Sequence, residues 1–245
     1  MSSGRRRADL LLVERGIFES RAKAQAAIAG GLVSADGAPV RKASDLVAED
    51  AAIEAEAPYP YVSRGGLKLA AALDAFGIAP AGRVCLDVGA STGGFTDVLL
   101  RRGAAHVHAI DVGRAQLHPT LAADPLVTSR EGTDIRSEEP VAPLGGMDLT
   151  VADVSFISLS LVLPSLVPYM KDAAQLVVLI KPQFEVGRAG IGRGGIVRDD
   201  ELRQASVERV RGEVEERGFS ILGIIPSPVP GGDGNLEFLL GAARV

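Results

Sequence analysis

The sequence predicts an α/β fold in which a mostly parallel seven-stranded sheet has helices on both faces, preceded by a small α+β domain. Short apolar runs that end on polar residues alternate with amphipathic segments after residue 84, which is typical of parallel strands joined by helices. A glycine-rich turn follows the first run. Residues 1–42 hold eight basic and four acidic side chains, a charge of +4, so a whole-chain charge of −5 leaves −9 for the remainder. A basic module therefore precedes an acidic body.

The composition excludes several classes of protein. With 245 residues, 47% of them hydrophobic, the chain can bury one large core, or a medium and a small one. It has no uncharged apolar run of about 18 residues and no secretory signal at its start, so we expect no membrane association and a cytoplasmic location. One cysteine and three histidines predict neither an intrachain disulfide nor a metal site. The oligomeric state is not predicted.

The first 58 residues are predicted to form the small domain. Helices are expected over 7–16 and 21–29, the second capped by Ser20, with strands over 32–34 and 51–54 and a turn at Asp36-Gly37. The landmarks Arg7-Ala8-Asp9, Leu12, Gly16, Ser20-Arg21, Ile28, Gly30, Val33 and Asp36-Gly37, in this order, resemble the S4 RNA-binding domain. That resemblance implies that the basic side chains of this domain contact RNA, namely Arg7, Arg15, Arg21, Lys23, Arg41 and Lys42. The alternative is an ordinary solvated basic face.

A linker and a second domain follow. Pro58 and Pro60 stiffen the chain and forbid helix, which predicts a linker over 59–65 and a second domain over 66–245. A helix is predicted over 67–76, with its apolar face against one side of the sheet.

The segment 84–95 predicts a nucleoside site. A buried strand runs into a turn at Gly89, and Ser91 and Thr92 are expected to cap a helix that ends at Gly103. The spacing Gly89-x-x-x-Gly93-Gly94 lacks the G-x-G-x-x-G turn that cradles a pyrophosphate, so it suits a nucleoside without phosphate, such as S-adenosyl-L-methionine. Asp111 ends the next strand, where an acidic side chain can hold ribose hydroxyls. The alternative is a βαβ unit with a tight turn and no ligand.

Further strands are predicted over 126–128, 147–152 and 174–180, followed by a helix from Asp199 or Asp200 to about 216. The runs at 219–225 and 236–240 are expected to form an antiparallel hairpin. Asp153 and Lys181 directly follow two of the strands, and the carboxyl ends of parallel strands form the ligand crevice of open sheets.

Four charged residues lie in or beside apolar elements: Lys68, Asp153, Lys181 and Glu237. An unpaired buried charge costs several kcal/mol, so each needs a partner. They could form a structural salt-bridge network. They could also activate a ribose 2′-hydroxyl for methyl transfer, with a lysine as base or as stabiliser of the developing anion. Methylation of an exocyclic base amine is not favoured, because the segment that starts at Asp153 lacks the Asn/Asp-Pro-Pro-aromatic turn of such enzymes. Methylation of a base carbon is not favoured either, because it uses a nucleophilic cysteine and the only cysteine here lies in a core strand.

The segment 187–195 is rich in glycine and contains Arg188 and Arg193. It is either a flexible connection or a mobile loop over substrate phosphates. Arg64 adds a further candidate contact to RNA just before the first helix of the second domain.

Several motifs together resemble the TlyA family: Ser63-Arg64-Gly65-Gly66-x-Lys68-Leu69, residues 86–95, Ala152-Asp153-Val154-Ser155-Phe156-Ile157-Ser158-Leu159 and Lys181-Pro182-Gln183-Phe184-Glu185-Val186-Gly187. The resemblance covers nearly the whole chain. It implies an S4 domain followed by a Rossmann-like, FtsJ-like methyltransferase that uses S-adenosyl-L-methionine to 2′-O-methylate a cytidine in ribosomal RNA. Because the chain stops right after its last predicted strand, we expect the large subunit as the substrate, with the small subunit as a possible second one.

The resemblance also implies the site residues. The catalytic tetrad would be Lys68, Asp153, Lys181 and Glu237. The S-adenosylmethionine site would comprise Asp87, Gly89, Ala90, Ser91, Thr92, Gly93, Gly94, Phe95, Asp111, Asp134 and Asp153. Two alternatives stay open: a membrane-active haemolysin, the name this family often carries, and a non-catalytic RNA-binding factor of the S4 type.

Overall fold

The computed structural model describes residues 4–187, 190–231 and 234–244. The chain forms two compact units, Met1–Pro60 and Tyr61–Val245. Each unit has its own hydrophobic core.

The first unit packs two helices on two small antiparallel sheets. The helices are α1 (Ala8–Glu14) and α2 (Arg21–Ala29), and the strands are β1 (Arg5–Arg7), β2 (Val33–Ala35), β3 (Ala38–Pro39), β4 (Leu46–Ala48) and β5 (Ile53–Ala55). One sheet pairs β1 with β4, and the other has the order β3-β2-β5. As predicted, the Ser20 side chain caps α2 by accepting the Lys23 N–H. Asp36 and Gly37 both have positive φ, 50° and 76°, which is the backbone of a two-residue hairpin turn.

The second unit is built on a seven-stranded sheet, which confirms the predicted fold class. Its strands are β6 (Val84–Val88), β7 (His106–Asp111), β8 (Val127–Glu131), β9 (Met147–Ala152), β10 (Met170–Ile180), β11 (Phe219–Pro226) and β12 (Phe238–Arg244). Their order is β11-β12-β10-β9-β6-β7-β8. The neighbours from β10 to β8 are parallel, whereas β12 runs antiparallel to both β10 and β11. The order reverses between β6 and β9, where open parallel sheets bind ligands.

The helices of this unit are α3 (Gly65–Phe76), α4 (Gly94–Arg101), α5 (Pro119–Ala122), α6 (Leu159–Leu166), α7 (Pro182–Glu185) and α8 (Asp200–Glu215). Two hydrophobic clusters lie on the two faces of the sheet. The cluster that involves α3 and α4 contains Cys85, which is fully buried, and burial raises the pKa of its thiol to about 12. A thiol that stays protonated and inaccessible is not a nucleophile.

The glycine-rich turn differs from the prediction in one respect. Ser91 and Thr92 do not cap α4: the residue before this helix is Gly93, with φ of 94°, and no side chain caps the helix. Ser91 itself has φ of 47°, and its N–H points to the carboxylate of Asp111 at 2.7 Å. The turn therefore binds to the neighbouring strand end instead of folding its hydroxyls back onto α4. Gly103, with φ of 82°, ends the helix as predicted.

Some element boundaries also differ. α3 begins two residues before the prediction and β10 begins four residues before it, whereas β12 begins at Phe238, so Glu237 precedes this strand instead of lying within it. Helices α5, α6 and α7 were not predicted. Each contains a proline, and in α5 and α7 it stands in the first turn, where the missing N–H costs nothing.

Candidate functional site

The carboxyl ends of the central strands place three of the predicted side chains at one edge of the sheet. Val88 at the end of β6 is level with Ile110 of β7 and with Ala152 of β9, and Ala152 is level with Val178 of β10. Asp111 closes β7, Asp153 directly follows β9 and Lys181 directly follows β10. This common register brings three separated parts of the chain to the same crevice.

Lys181 is bound by two side chains from the segment after β9. Its Nζ lies 2.6 Å from Asp153 Oδ1 and donates to Ser155 Oγ at 2.7 Å. Lys181 is only 9% exposed, so these two partners, and not bulk water, surround its amine. The hydrogen bond to Ser155 and the ion pair with Asp153 together hold the amine at the end of β10.

Lys68 and Glu237 form a second buried ion pair, with 2.5 Å between Nζ and Oε2. Lys68 lies on α3, and Glu237 directly precedes β12. Because Ile180 is level with Phe238 in the antiparallel pair of β10 and β12, Glu237 comes next to the strand end from which Lys181 extends. A Cβ on Gly231 would lie 2.4 Å from Glu237 Oε1, so the loop before β12 packs closely on this carboxylate. The four predicted charges are thus arranged as two pairs, Lys68 with Glu237 and Lys181 with Asp153.

A cavity of about 920 Å³ opens at this edge of the sheet. Five of the predicted cofactor residues line it: Gly89, Ser91, Asp111, Asp134 and Asp153. A Cβ on Gly89 would lie 2.3 Å from the carbonyl oxygen of Asp153, so only glycine lets the two backbones approach this closely. The cavity wall after β9 is one continuous segment, residues 153–158.

The described residues that line the cavity do not include the other predicted cofactor residues, Asp87, Ala90, Thr92, Gly93, Gly94 and Phe95. Phe95 packs in the core with α3 and α4. Asp87 is fully buried and accepts a hydrogen bond from Thr96 Oγ1 at 2.7 Å. Burial, together with the nearby carboxylates of Asp153 and Asp111, raises the pKa of Asp87 to about 7.

The two acidic residues on the far side of the cavity are held by short local bonds. Asp111 accepts the N–H groups of Ser91 at 2.7 Å and Gly113 at 2.6 Å, one on each oxygen. Asp134 forms an ion pair with Arg136 at 2.5 Å, and hydrogen bonds from the Arg136 side chain lower its pKa. These bonds fix both carboxylates at the cavity, and the lowered pKa of Asp134 keeps that carboxylate charged at neutral pH.

Sequence reasoning missed Phe156 as a site residue. Its side chain is 91% exposed and its φ is 64°, an unusual backbone for a bulky residue. The ring lines the cavity and lies 5.2 Å from the ring of Phe184. The sequence offered one signal, an aromatic residue three positions after Asp153, but an exposed phenylalanine looks like a core phenylalanine in a sequence.

Several basic residues of the first unit that were predicted to bind RNA have hydrogen-bond partners within the unit. Asp9, fully buried, accepts from Arg7 at 3.0 and 3.1 Å and from Arg21 and Gln25 at 2.9 Å each. Hydrogen bonds from Arg7 above all hold the pKa of Asp9 far below its usual range. Both guanidinium groups remain about half exposed, so they stay available to a ligand in fixed positions.

The other basic residues that were predicted to bind RNA have varied environments. Arg15 donates to the carbonyl oxygens of Ala51 and Glu49, and Lys23 pairs with Glu19 at 3.0 Å. Arg41, Lys42, Arg64 and Arg193 have exposed side chains. Arg188 lies outside the described residues. The stretch around Arg193 is anchored by the buried Asn235, which accepts the Val197 N–H and donates to the Gly195 carbonyl oxygen.

Two absences concern only the part of the chain that the structure describes. No group of three or more His, Cys, Asp or Glu side chains there could hold a metal ion. None of its helices combines the length and the apolar character that a membrane crossing needs.

Comparisons with known proteins identify both units. A family model of FtsJ-like methyltransferases matches residues 61–244, and a model of the S4 domain matches residues 6–53. The chain is 49% identical to the 16S/23S rRNA (cytidine-2′-O)-methyltransferase TlyA of Mycobacterium tuberculosis, over 96% of this chain and 89% of that protein. It is 39% identical to Hemolysin A of Brachyspira hyodysenteriae, over 95% and 98%. A solved structure from Streptococcus thermophilus that carries a hemolysin name superposes with a TM-score of 0.76 at 40% identity, covering 98% of this chain and 89% of that one.

Proposed function

The chain belongs to the TlyA family of FtsJ-like methyltransferases, and from that membership we propose that it methylates the 2′-hydroxyl of a cytidine in ribosomal RNA. The observation that carries the proposal is the Lys181 environment. A buried lysine sits between Asp153 and Ser155 at the carboxyl ends of the central strands, and both partners line the cavity. This is the place where a bound nucleoside meets the catalytic groups in such a sheet.

The polar side chains that line the cavity suit S-adenosyl-L-methionine. Three carboxylates face it, those of Asp111, Asp134 and Asp153. They complement a ligand with ribose hydroxyls, an amino group and a positively charged sulfonium, and the turn at Gly89 and Ser91 has no G-x-G-x-x-G phosphate cradle. When bound there, S-adenosylmethionine supplies a methyl group on sulfur as the electrophile.

The chain's own residues activate the acceptor oxygen. A ribose hydroxyl is a weak acid and a poor nucleophile. Lys181 acts on it either as the base that takes its proton or as the cation that stabilises the negative charge on the oxygen during attack. Asp153 and Ser155 fix the lysine amine, so it needs little reorganisation when the charge develops. The pair of Lys68 and Glu237 holds the adjoining end of β12 in place and adds a second cation beside the site.

The S4 domain supplies the RNA-binding part of the proposal. Its buried Asp9 presents Arg7 and Arg21 with half-exposed guanidinium groups, which suits contacts to phosphate oxygens. The relative from Mycobacterium tuberculosis is named for both ribosomal RNAs. We expect the large-subunit RNA as the substrate and test the small-subunit RNA beside it.

The test is transfer of labelled methyl from S-adenosylmethionine to purified large and small ribosomal subunits, followed by nuclease digestion. The expected product is 2′-O-methylcytidine. Two other outcomes identify the alternatives: binding of RNA without label points to a non-catalytic S4 factor, and lysis of erythrocytes without label points to a haemolysin. Label on a base instead of a ribose would also contradict the proposal.

Lys181→Ala is predicted to lower the single-turnover rate by more than the usual ~10²–10⁴ of one acid–base group, because the lysine also positions the ribose. Lys181→Arg should not restore it in either role, since a planar guanidinium cannot give up its proton and does not fit a site built for a compact ammonium. Lys171→Ala is the matched control: Lys171 pairs with Asp148 at 2.6 Å, again between β10 and β9, but at the other end of these strands. Near-normal transfer by Lys181→Ala would show that the four charges are structural.

A further inference from the structure

Two segments at the site contact each other at both ends and in the middle. One is residues 153–159, which runs from the end of β9 to the first residue of α6, and the other is residues 181–185, directly after β10. At one end Lys181 binds Asp153 and Ser155, and in the middle the ring of Phe184 lies 5.2 Å from that of Phe156. At the far end Glu185 binds the start of α6. The first two contacts involve groups already assigned to the site, whereas Glu185 has no role in the reaction as described above.

Glu185 is bound more extensively than a solvent-facing acid would be. It is 4% exposed, its Oε2 accepts from Ser158 Oγ at 2.7 Å, and its Oε1 accepts the Leu159 N–H at 2.8 Å. The Leu159 N–H is one of the first donors of α6, which have no partner within the helix. Arg209 of α8 also contacts Oε2 and compensates the buried charge. One carboxylate therefore joins α6, α7 and α8.

We propose that Glu185 is a positioning residue for methyl transfer, fixing the segment 153–158 against Lys181 so that Asp153, Ser155 and Phe156 hold their working positions. This inference rests on the proposed function. The segment forms one continuous wall of the cavity and also carries both partners of Lys181. If its far end moves, the cavity wall and the lysine environment move together.

Stability alone does not account for a charge at this position. A buried ion pair is weak evidence for stabilisation, because well-packed apolar side chains of similar volume often do as well or better. What apolar side chains cannot provide is a bond to a helix N–H and to a serine hydroxyl at the same time. The Glu185 carboxylate provides both, which specifies where α6 begins and hence where the preceding segment ends.

The experiment compares Glu185→Gln with Glu213→Gln. Glu213 is a close match, since it also lies near Arg209, at 4.0 Å, and also accepts from a serine of α6, Ser160 at 2.5 Å, but makes no described contact with the segment 153–159. Each variant is assayed as the full chain for melting temperature, for S-adenosylmethionine affinity by calorimetry, and for the single-turnover rate at saturating ribosomal subunit. Rates are taken well below the melting temperature of the weaker variant.

Glu185→Gln is expected to lower the single-turnover rate about 10²-fold, the usual effect of a misplacement near 1 Å, and Glu213→Gln to leave it within about 2-fold of the unaltered chain. Glu185→Asp should not restore the rate, because a shorter side chain cannot reach both partners. A Glu185→Gln protein that melts earlier but transfers methyl at the normal rate while folded would overturn the proposal and leave a purely structural role. Absence of transfer by the unaltered chain would instead refute the proposed function, so the two failures are distinct.

Discussion

Phe156 shows what a single residue contributes that composition cannot reveal. A phenylalanine that exposes 91% of its surface at a cavity edge, on a positive-φ backbone, is uncommon, and its ring is accessible to a ligand. The bases of a single-stranded or flipped-out nucleotide stack on such rings. We therefore interpret Phe156 as a platform for a base of the RNA substrate.

Phe156→Ala is predicted to weaken productive RNA binding by about 1–3 kcal/mol, the typical value of one base–aromatic stack. Phe156→Tyr should retain most of the activity, because it keeps the ring. The measurement is the dependence of the single-turnover rate on ribosomal subunit concentration. Leu161→Ala, at another exposed apolar side chain that lines the cavity, serves as the control. Equal effects of Phe156→Ala and Leu161→Ala would argue against stacking.

The charged residues illustrate which site features a sequence can predict. Lys68, Asp153, Lys181 and Glu237 attract notice because a charge beside an apolar run needs a partner. Their pairing could not be derived, because it depends on which strands are neighbours. Glu185 and Ser155 went unnoticed for a different reason, since an acid or a serine near a turn is ordinary in sequence and becomes informative only through its burial or its contacts.

At the scale of elements, one acidic side chain shapes the cavity rim. Glu131, at the end of β8, accepts the N–H groups of Ala115, Gln116 and Leu117 at 2.8, 2.6 and 3.0 Å. These bonds lower the pKa of Glu131. They also fix the turn after β7, from which Gly113 and Gln116 line the cavity.

Glu131→Ala is predicted to release this turn and weaken S-adenosylmethionine binding by about 1–3 kcal/mol, the cost of leaving hydrogen-bond donors unpaired. Glu131→Gln should lose less, since an amide oxygen still accepts at least one N–H. Calorimetry with the two variants provides the measurement, and Asp124→Ala, on the loop before β8, provides the control. An unchanged affinity in Glu131→Ala would mean that the turn holds its shape without the carboxylate.

Element boundaries were predictable where side chains signal them and not elsewhere. Ser20 caps α2 and β9 spans the predicted residues, because a hydroxyl before a helix and an apolar run are local signals. β1 and β4 have three residues each, too few to show a period. The expected capping of α4 failed because Ser91 is drawn to Asp111, a residue brought close by the sheet and not by the chain.

At the scale of the whole molecule, two buried carboxyl groups make the stability of the folded chain depend on pH in opposite directions. The pKa of Asp87 rises from its ordinary 3.8 to about 7 on folding, mainly through burial. Between these values the unfolded chain has released a proton that the folded chain keeps, so stability falls as pH rises from about 4 to 7 and is level above. Asp9, with its lowered pKa, instead contributes stability that is lost as pH falls into the acid range.

Asp87→Asn is predicted to remove most of the change in the unfolding free energy of the second unit between pH 4 and 7. For a pKa shift of this size, that change is on the order of 4 kcal/mol. Denaturant unfolding of the full chain at several pH values measures it, with the two transitions fitted separately because the chain has two compact units. Cys85→Ala, at another fully buried site on β6, should keep the original slope. A slope unchanged in Asp87→Asn would show that the carboxyl group ionises in the folded state.

The position of β12 also determines when one buried charge pair of the site can form during synthesis of the chain. This strand, the last one described, enters the sheet between β10 and β11 instead of adding to its edge, and Glu237 at its start pairs with Lys68, 169 residues earlier. Contacts of such long sequence separation form late, and a chain leaves the ribosome from its N-terminus. A nascent chain thus completes its S4 domain early but cannot assemble the Lys68–Glu237 pair until β12 has emerged. Under the function proposed above, RNA binding therefore becomes possible before methyl transfer does.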